Sequence, residues 1–297
     1  MKGTKLRTTS LTLLALLAFA ANSILCRLAL AVEAMPPLDF TVIRIVAAAF
    51  TLWLLLLARH KAKLGTIRQH GSLAGAFYLL IYLAGFSFAY VELGTASGAL
   101  LLFAAVQFTM LLALRLSGHK LSWTERSGVV LSLIGFVYFV YPQLSTPDAF
   151  SCAAMLLAGI AWGLYSLNGA RSIAPLDDTA SNFIQLLPVA LVGLLVIFLR
   201  NESHYTLYGI IFATLSGSVA SGLGYALWYL VLPKLAKSVA AVAQLSVPIW
   251  AALGGLWLVD ESLTWHLTFS ALLILGGIII VLLSRHMKTG QQLGPRS

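Results

Sequence analysis

Residues 236–265 read AKSVAAVAQLSVPIWAALGGLWLVDESLTW, an apolar run interrupted by Gln244 and Pro248 and closed by the acidic pair Asp260 and Glu261. Residues 95–123, TASGALLLFAAVQFTMLLALRLSGHKLSW, follow the same plan. They open on small residues around Ser97, carry a mid-run Gln107, reach a polar stop and end on Leu-Ser-Trp where the later stretch ends on Leu-Thr-Trp. Ser97 and Ser238 are 141 residues apart, and Trp123 and Trp265 are 142 apart. Two copies of one unit, offset by an inserted residue, make the chain a tandem duplication.

Composition fixes the medium. Of 297 residues, 60% are hydrophobic and only 10% charged, far from the roughly 25% charged residues of soluble domains. The apolar runs do not alternate as barrel strands would, so spanning helices are expected. Ten runs are predicted to span, over residues 9–31, 38–58, 71–91, 95–116, 124–141, 149–170, 179–199, 206–231, 238–259 and 265–284. The expected fold class is therefore an all-α polytopic membrane protein with ten transmembrane helices. Residues 1–141 form the first repeat, 149–285 the second, and 286–297 a disordered tail. Five spans per repeat is an odd number, so the second copy crosses in the opposite sense, giving a 5+5 inverted-topology repeat. Cleavage of the first span as a signal peptide after Ala18-Phe19-Ala20 would break the repeat, so that span is retained.

Charge sidedness agrees. With the N-terminus inside, 16 of the 19 Lys and Arg residues fall on the cytoplasmic side, which places both termini in the cytoplasm. The net charge of +9 follows from this asymmetry and from lipid headgroups, and nucleic acid is not expected as a partner. Cys26 and Cys152 have no metal-ligand spacing, so no metal site, cofactor or disulfide is expected, and catalytic residues are not expected either. Asp177-Asp178 beside Arg171 is the single feature that an interfacial lipid-processing enzyme could use.

Arg27 and Arg44 are the two basic residues placed well inside spans. A buried cation is costly in lipid and faces the bundle interior or an interface. Each is a candidate anion contact; the alternative is pairing with Glu33 and Asp39 in the first hairpin. Tyr78 and Tyr82 are four apart on the third span, and Tyr225 and Tyr229 repeat that spacing on the eighth. Tyr78, Tyr82, Trp162 and Tyr225 are predicted to line a central cavity, whereas Trp123, Trp228, Tyr229 and Trp265 are assigned to belts or to packing. The amides Asn22, Gln107 and Gln244 need partners in hydrocarbon and are predicted to face that cavity or another helix. Pro248 is a candidate hinge, since proline frees carbonyls within its span. No acidic residue or His lies mid-span, so facilitated diffusion or exchange is expected rather than proton coupling.

Ten spans, the duplicated plan, and fourth and ninth spans ending at SGHKLSW and VDESLTW resemble the EamA branch of the drug/metabolite transporter superfamily. Within it the chain looks most like the YddG-type bacterial exporters of aromatic and other amino acids. The resemblance implies a monomeric carrier in the bacterial inner membrane that moves a small-molecule substrate across the lipid bilayer by alternating access. The alternative is a drug, nucleotide-sugar or other metabolite carrier of the same superfamily.

Overall fold

A computed structural model describes residues 2–60, 70–116, 118, 122–140, 149–170, 172–200, 205–235, 243–244 and 246–292. The linker 141–148 and the opening of the ninth span, 236–242, lie outside the described residues, as does most of the stretch 117–121. The described chain is helical, in ten rods. These are α1 (Lys2–Arg27, extended by a wide π turn Leu28–Val32), α2 (Pro37–His60), α3 (Leu73–Ala89), α4 (Thr95–Leu116) and α5 (Trp123–Val140). They continue as α6 (Ala149–Gly169), α7 (Pro175–Gln185 and Leu187–Arg200), α8 (Leu207–Val231 with a π segment Ser216–Leu223), α9 (Val247–Leu258) and α10 (Trp265–Gln292). Among the described residues, six helices are long and apolar enough to cross a membrane: those built on α1, α2, α4, α6, α7 and α8. The helix α10 runs past the expected end of the second repeat at 285.

Local chemistry sets the ends. Ser72 caps α3 by accepting the Gly75 N–H at 2.9 Å, and Thr206 caps α8 through Gly209 at 2.9 Å. Pro248 stands in the first turn of α9 and Pro188 in the first turn of the second α7 segment. There the missing N–H is one that a helix leaves unbonded anyway. Each proline therefore starts a helical segment instead of interrupting one.

The described helices expose apolar side chains and bury a set of polar ones within a largely apolar core. Phe198 and Trp257 are each 80% exposed, while Asn22, Arg44, Gln107 and Gln244 are buried. This is the pattern of a protein solvated by lipid, where outward apolar surface costs nothing and polar groups seek one another.

The contacts pair up when the two copies are exchanged. α1 packs on α8 and α9, and α6 packs on α3 and α4; α2 meets α7, α4 meets α9, and α5 meets α10. The α5–α10 pair is antiparallel: Ser122 lies 3.3 Å from Ser284, the Ser132 hydroxyl donates to the Ile274 carbonyl at 3.0 Å, and His266 sits 3.0 Å from the Tyr138 carbonyl. Because α1, α3, α6 and α8 interlock around the centre, their mid-length residues converge on one place.

Candidate functional site

At that place Arg44 is fully buried. Its Nε donates to the Ser221 hydroxyl at 3.0 Å, and its Nη2 donates to the Tyr225 hydroxyl at 3.0 Å and to the Tyr82 hydroxyl at 3.3 Å. The guanidinium also lies over the rings of Phe86 and Tyr82, at 5.0 and 5.4 Å from their centroids. Nη1 is buried with no partner among the described residues, and no described carboxylate pairs with this cation. Pairing of Arg44 with Asp39 is thus not what the fold uses. Asp39 instead accepts from the Tyr205 hydroxyl at 2.9 Å. Its long stem carries the charge from the second turn of α2 to Tyr82, at mid-length of α3.

The neighbours are rich in donors. Tyr82 receives the Tyr225 hydroxyl at 2.9 Å and the Asn22 amide at 3.3 Å, besides Arg44. With Tyr225 donating, the phenolic proton of Tyr82 has no acceptor among the described residues. Asn22 is held by the Ser216 hydroxyl at 2.7 Å. Ser216 and Ser221 reach inward because the π segment of α8 widens the helix there, and Gly217 lets α8 lie directly against the Arg44 backbone carbonyl. Tyr82→Phe would strand the Tyr225 hydroxyl proton and the Asn22 amide and take one acceptor from Arg44, whereas Tyr225→Phe takes one acceptor from Arg44 and one donor from Tyr82. The first is expected to lower stability by about 1–3 kcal/mol and the second by about 1 kcal/mol, an ordering that thermal unfolding of the two purified variants checks.

Aromatic rings close the rest. A small cavity of about 10 Å³ is lined by Phe19, Ser23, Tyr82, Phe86, Leu102, Phe103, Trp162 and Tyr225. Trp162 sits 4.8 Å from Tyr82 and 4.7 Å from Tyr225, centroid to centroid, and Phe19 meets Trp162 edge-on at 5.7 Å. Three pairs recur at one offset: Phe19 with Trp162, Ser23 with Ser166 and Tyr82 with Tyr225 are each 143 residues apart. Arg44 has no such twin, since Leu187 stands at that offset. The site is near-symmetric with a single positive charge on one side.

Of the residues expected at the site, Asn22, Tyr82, Trp162, Tyr225 and Arg44 come together. Tyr78 is half-buried, one turn from Tyr82 and outside the cavity lining. Gln107 is buried on α4, one turn beyond Phe103, and Gln244 is buried with its Oε1 unpartnered among the described residues. Arg27 lies elsewhere, paired with Glu261 at 3.0 Å rather than with Glu33 or Asp39. Trp228 and Tyr229 are buried, not interfacial: Tyr229 stacks on Tyr165 at 5.4 Å and donates to its carbonyl at 3.2 Å. Phe19, Phe86, Phe103, Ser216 and Ser221 are site residues that the sequence reading passed over. The 143-residue offset from Trp162 would have found Phe19, and the small-residue run Ser216 to Gly222 marks the π segment.

Polar ties join the helices toward both ends of the described bundle. At one, Arg27 bonds Glu261 and donates from Nη1 to the carbonyls of Tyr90 at 3.1 Å and Val91 at 2.7 Å, while Glu261 accepts the Thr95 N–H at 2.7 Å. At the other, Asp178 accepts the Gly71 N–H at 2.9 Å, Asn182 accepts the Ser72 N–H at 3.0 Å, and Asn168 donates to the Ser72 hydroxyl at 3.0 Å. Asp178 thus ties α3 to α7.

Comparison with known proteins settles the class. A model of the EamA-like transporter family matches residues 7–141 and again 149–283. The chain belongs to this family. Its EamA relatives include the uncharacterized Pseudomonas aeruginosa protein PA1977, 43% identical over 94% of this chain and 96% of its own length. They also include the uncharacterized transporter YoaV of Bacillus subtilis, 24% identical over 82% of this chain and 87% of its own. A solved structure superposes with a TM-score of 0.65 at 17% identity, covering 93% of this chain and 98% of that one, a likeness of fold. The EamA chain is accordingly a multi-pass membrane transporter of the drug/metabolite superfamily, a family of carriers and not of enzymes.

Proposed function

We propose that this EamA carrier moves aromatic or neutral amino acids across the bacterial inner membrane by alternating access, as a YddG-like exporter or facilitator, with Arg44 holding the substrate carboxylate. The observation that carries the reading is Arg44 itself. A buried guanidinium without a counter-charge is costly, and here the spare Nη1 and the spare phenolic proton of Tyr82 belong to adjoining groups. A carboxylate offers two oxygens to that pair and supplies the missing charge. The rings of Phe19, Trp162 and Phe103 then receive the side chain. A fixed positive charge at the site repels cationic drugs.

The repeats are inverted on this reading, supported by the antiparallel α5–α10 pair and the exchange of contacts between copies. Both termini are cytoplasmic, so the Arg27–Glu261 end faces outward. On this reading the polar ties at the two ends act as closures, and alternating access consists of releasing one closure at a time.

Counterflow into proteoliposomes preloaded with unlabelled substrate tests this. Labelled phenylalanine or another neutral amino acid is expected to enter saturably. The rate is expected to be unchanged by an imposed pH gradient, because no Asp, Glu or His lines the central cavity. Uptake of a phosphorylated metabolite, with no amino acid carried by folded protein, would replace the amino acid reading with that of another metabolite carrier.

A further inference from the structure

A second cavity, of about 220 Å³, opens beside the first and is lined by Arg27, Gly94, Ser97, Glu261 and Ser262 among others. It continues the same face of α1. Ser23 borders the central cavity and Arg27 this one, four residues and about 6 Å further along the helix. Phe86 and Tyr90, edge-on at 4.6 Å, stand between the two, and Arg27 is bonded to the Tyr90 carbonyl.

The place for Glu261 is built into the backbone. α9 ends at Leu258, and Asp260 takes a left-handed conformation at φ +55° that folds Glu261 back so that its N–H meets the Gly255 carbonyl at 3.1 Å. A side chain at Gly94 would come within 3.3 Å of the Glu261 carboxylate, and one at Gly255 within 2.9 Å. Both positions therefore leave it room. Thr95, whose N–H the carboxylate accepts, has its hydroxyl buried without a partner. The result is one cation and one anion held 3.0 Å apart, each side chain about one-fifth exposed at 20% and 19%, facing a cavity on the substrate path.

We propose that this vestibule is a second, transient substrate site that recognises a zwitterion, and that substrate opens the closure by exchange. The α-carboxylate takes the place of Glu261 at Arg27 while the α-ammonium takes the place of Arg27 at Glu261. One ion pair becomes two, and neither half-buried charge is stranded. An amine or a carboxylic acid alone would free one partner and leave the other unpaired, at the cost that attends any broken partly buried pair. The closure thus admits molecules bearing both charges, a selection made before the central site is reached. This deepens the amino acid reading and rests on it.

The test uses the full-length carrier in detergent with Cys26 and Cys152 replaced by Ala, a reporter cysteine introduced by Ser262→Cys, and Arg44→Met to silence the central site. The readout is the rate of labelling by a water-soluble maleimide. Phenylalanine at ten times its dissociation constant is expected to slow labelling about tenfold, whereas phenethylamine and 3-phenylpropionate, which carry one charge each, leave it unchanged. Adding Glu261→Gln is expected to remove the protection. No protection by phenylalanine, or equal protection by either singly charged analogue, overturns the proposal and leaves the ion pair a static clamp. Counterflow by the carrier with Arg44 intact separates the two readings. If it carries amino acids and the vestibule shows no protection, the zwitterion site alone falls; if it carries none, both fall.

Discussion

Arg44→Met is expected to abolish counterflow of amino acids while leaving the empty carrier at least as stable as before. Methionine keeps much of the apolar stem and removes the charge. The cation is wholly buried, its Nη1 is unpartnered, and no described carboxylate faces it. What it gains in the empty site is three hydrogen bonds to hydroxyls and two ring faces. Those gains are set against a desolvation cost of several kcal/mol for an ion with no counter-charge. Of the hydroxyls it leaves behind, Tyr225 and Tyr82 still bond each other and Tyr82 keeps the Asn22 amide, while Ser221 loses its bond to Arg44.

With substrate the ledger reverses. Removing one member of a buried charge pair costs about 3–5 kcal/mol, and about 1.4 kcal/mol is tenfold, so transport is expected to fall at least about 100-fold. Arg44→Lys should fall between, since an ammonium is a point donor and cannot serve both carboxylate oxygens and the phenols in one plane. Thermal unfolding with and without substrate supplies the second readout. Substrate at a hundred times its dissociation constant adds about 2.7 kcal/mol to a carrier that binds it, and the Met variant is expected to show no such shift. A variant that unfolds several degrees early and still transports at the original rate would make Arg44 a structural clamp.

The sequence disclosed the spans and much of the central ring, and the reasons differ. Span positions follow from length and hydropathy, which lipid reads directly; nine of the ten expected spans overlap a rod closely, and the ninth begins outside the described residues. Tyr82 and Tyr225 were each legible as cavity residues from the aromatic spacing on the third and eighth spans, but that their hydroxyls meet, at 2.9 Å, was not. The partners of the two arginines were not legible. Arg27 finds Glu261 across 234 positions, and Arg44 finds Ser221 across 177. Which residue a long side chain reaches depends on how each helix is rotated about its axis, and composition carries no record of that. The same limit left Trp228 and Tyr229 open between a belt and packing, and they pack. Tryptophan and tyrosine suit a membrane interface and a packed interior equally well, and the rotation of α8 turns these two inward. The π segment that sets that rotation left only its small residues as a trace.

Gly277→Val is expected to be among the most damaging substitutions away from the site, and Gly276→Val, one position earlier, among the mildest. The two glycines lie on one helix and differ only in direction. A side chain at Gly276 meets nothing within 4 Å, so it adds apolar surface toward lipid. One at Gly277 would drive into the Gly128 carbonyl and the Ser132 hydroxyl, and one at Gly128 would reach the Gly277 carbonyl at 2.5 Å, so each glycine is the space the other requires. Backbone cannot swing aside as a flexible side chain does. α5 and α10 must then separate, which also opens the hydrogen bond from Ser132 to the Ile274 carbonyl. Overpacking of this kind costs about 1–3 kcal/mol or more, and helix association in lipid depends on such close small-residue contacts. Melting of the two variants side by side checks the contrast. Neither α5 nor α10 lines the central cavity, so whatever Gly277→Val protein remains folded should bind substrate as before. A loss of affinity without a loss of stability would mean that the α5–α10 pair shapes the site itself.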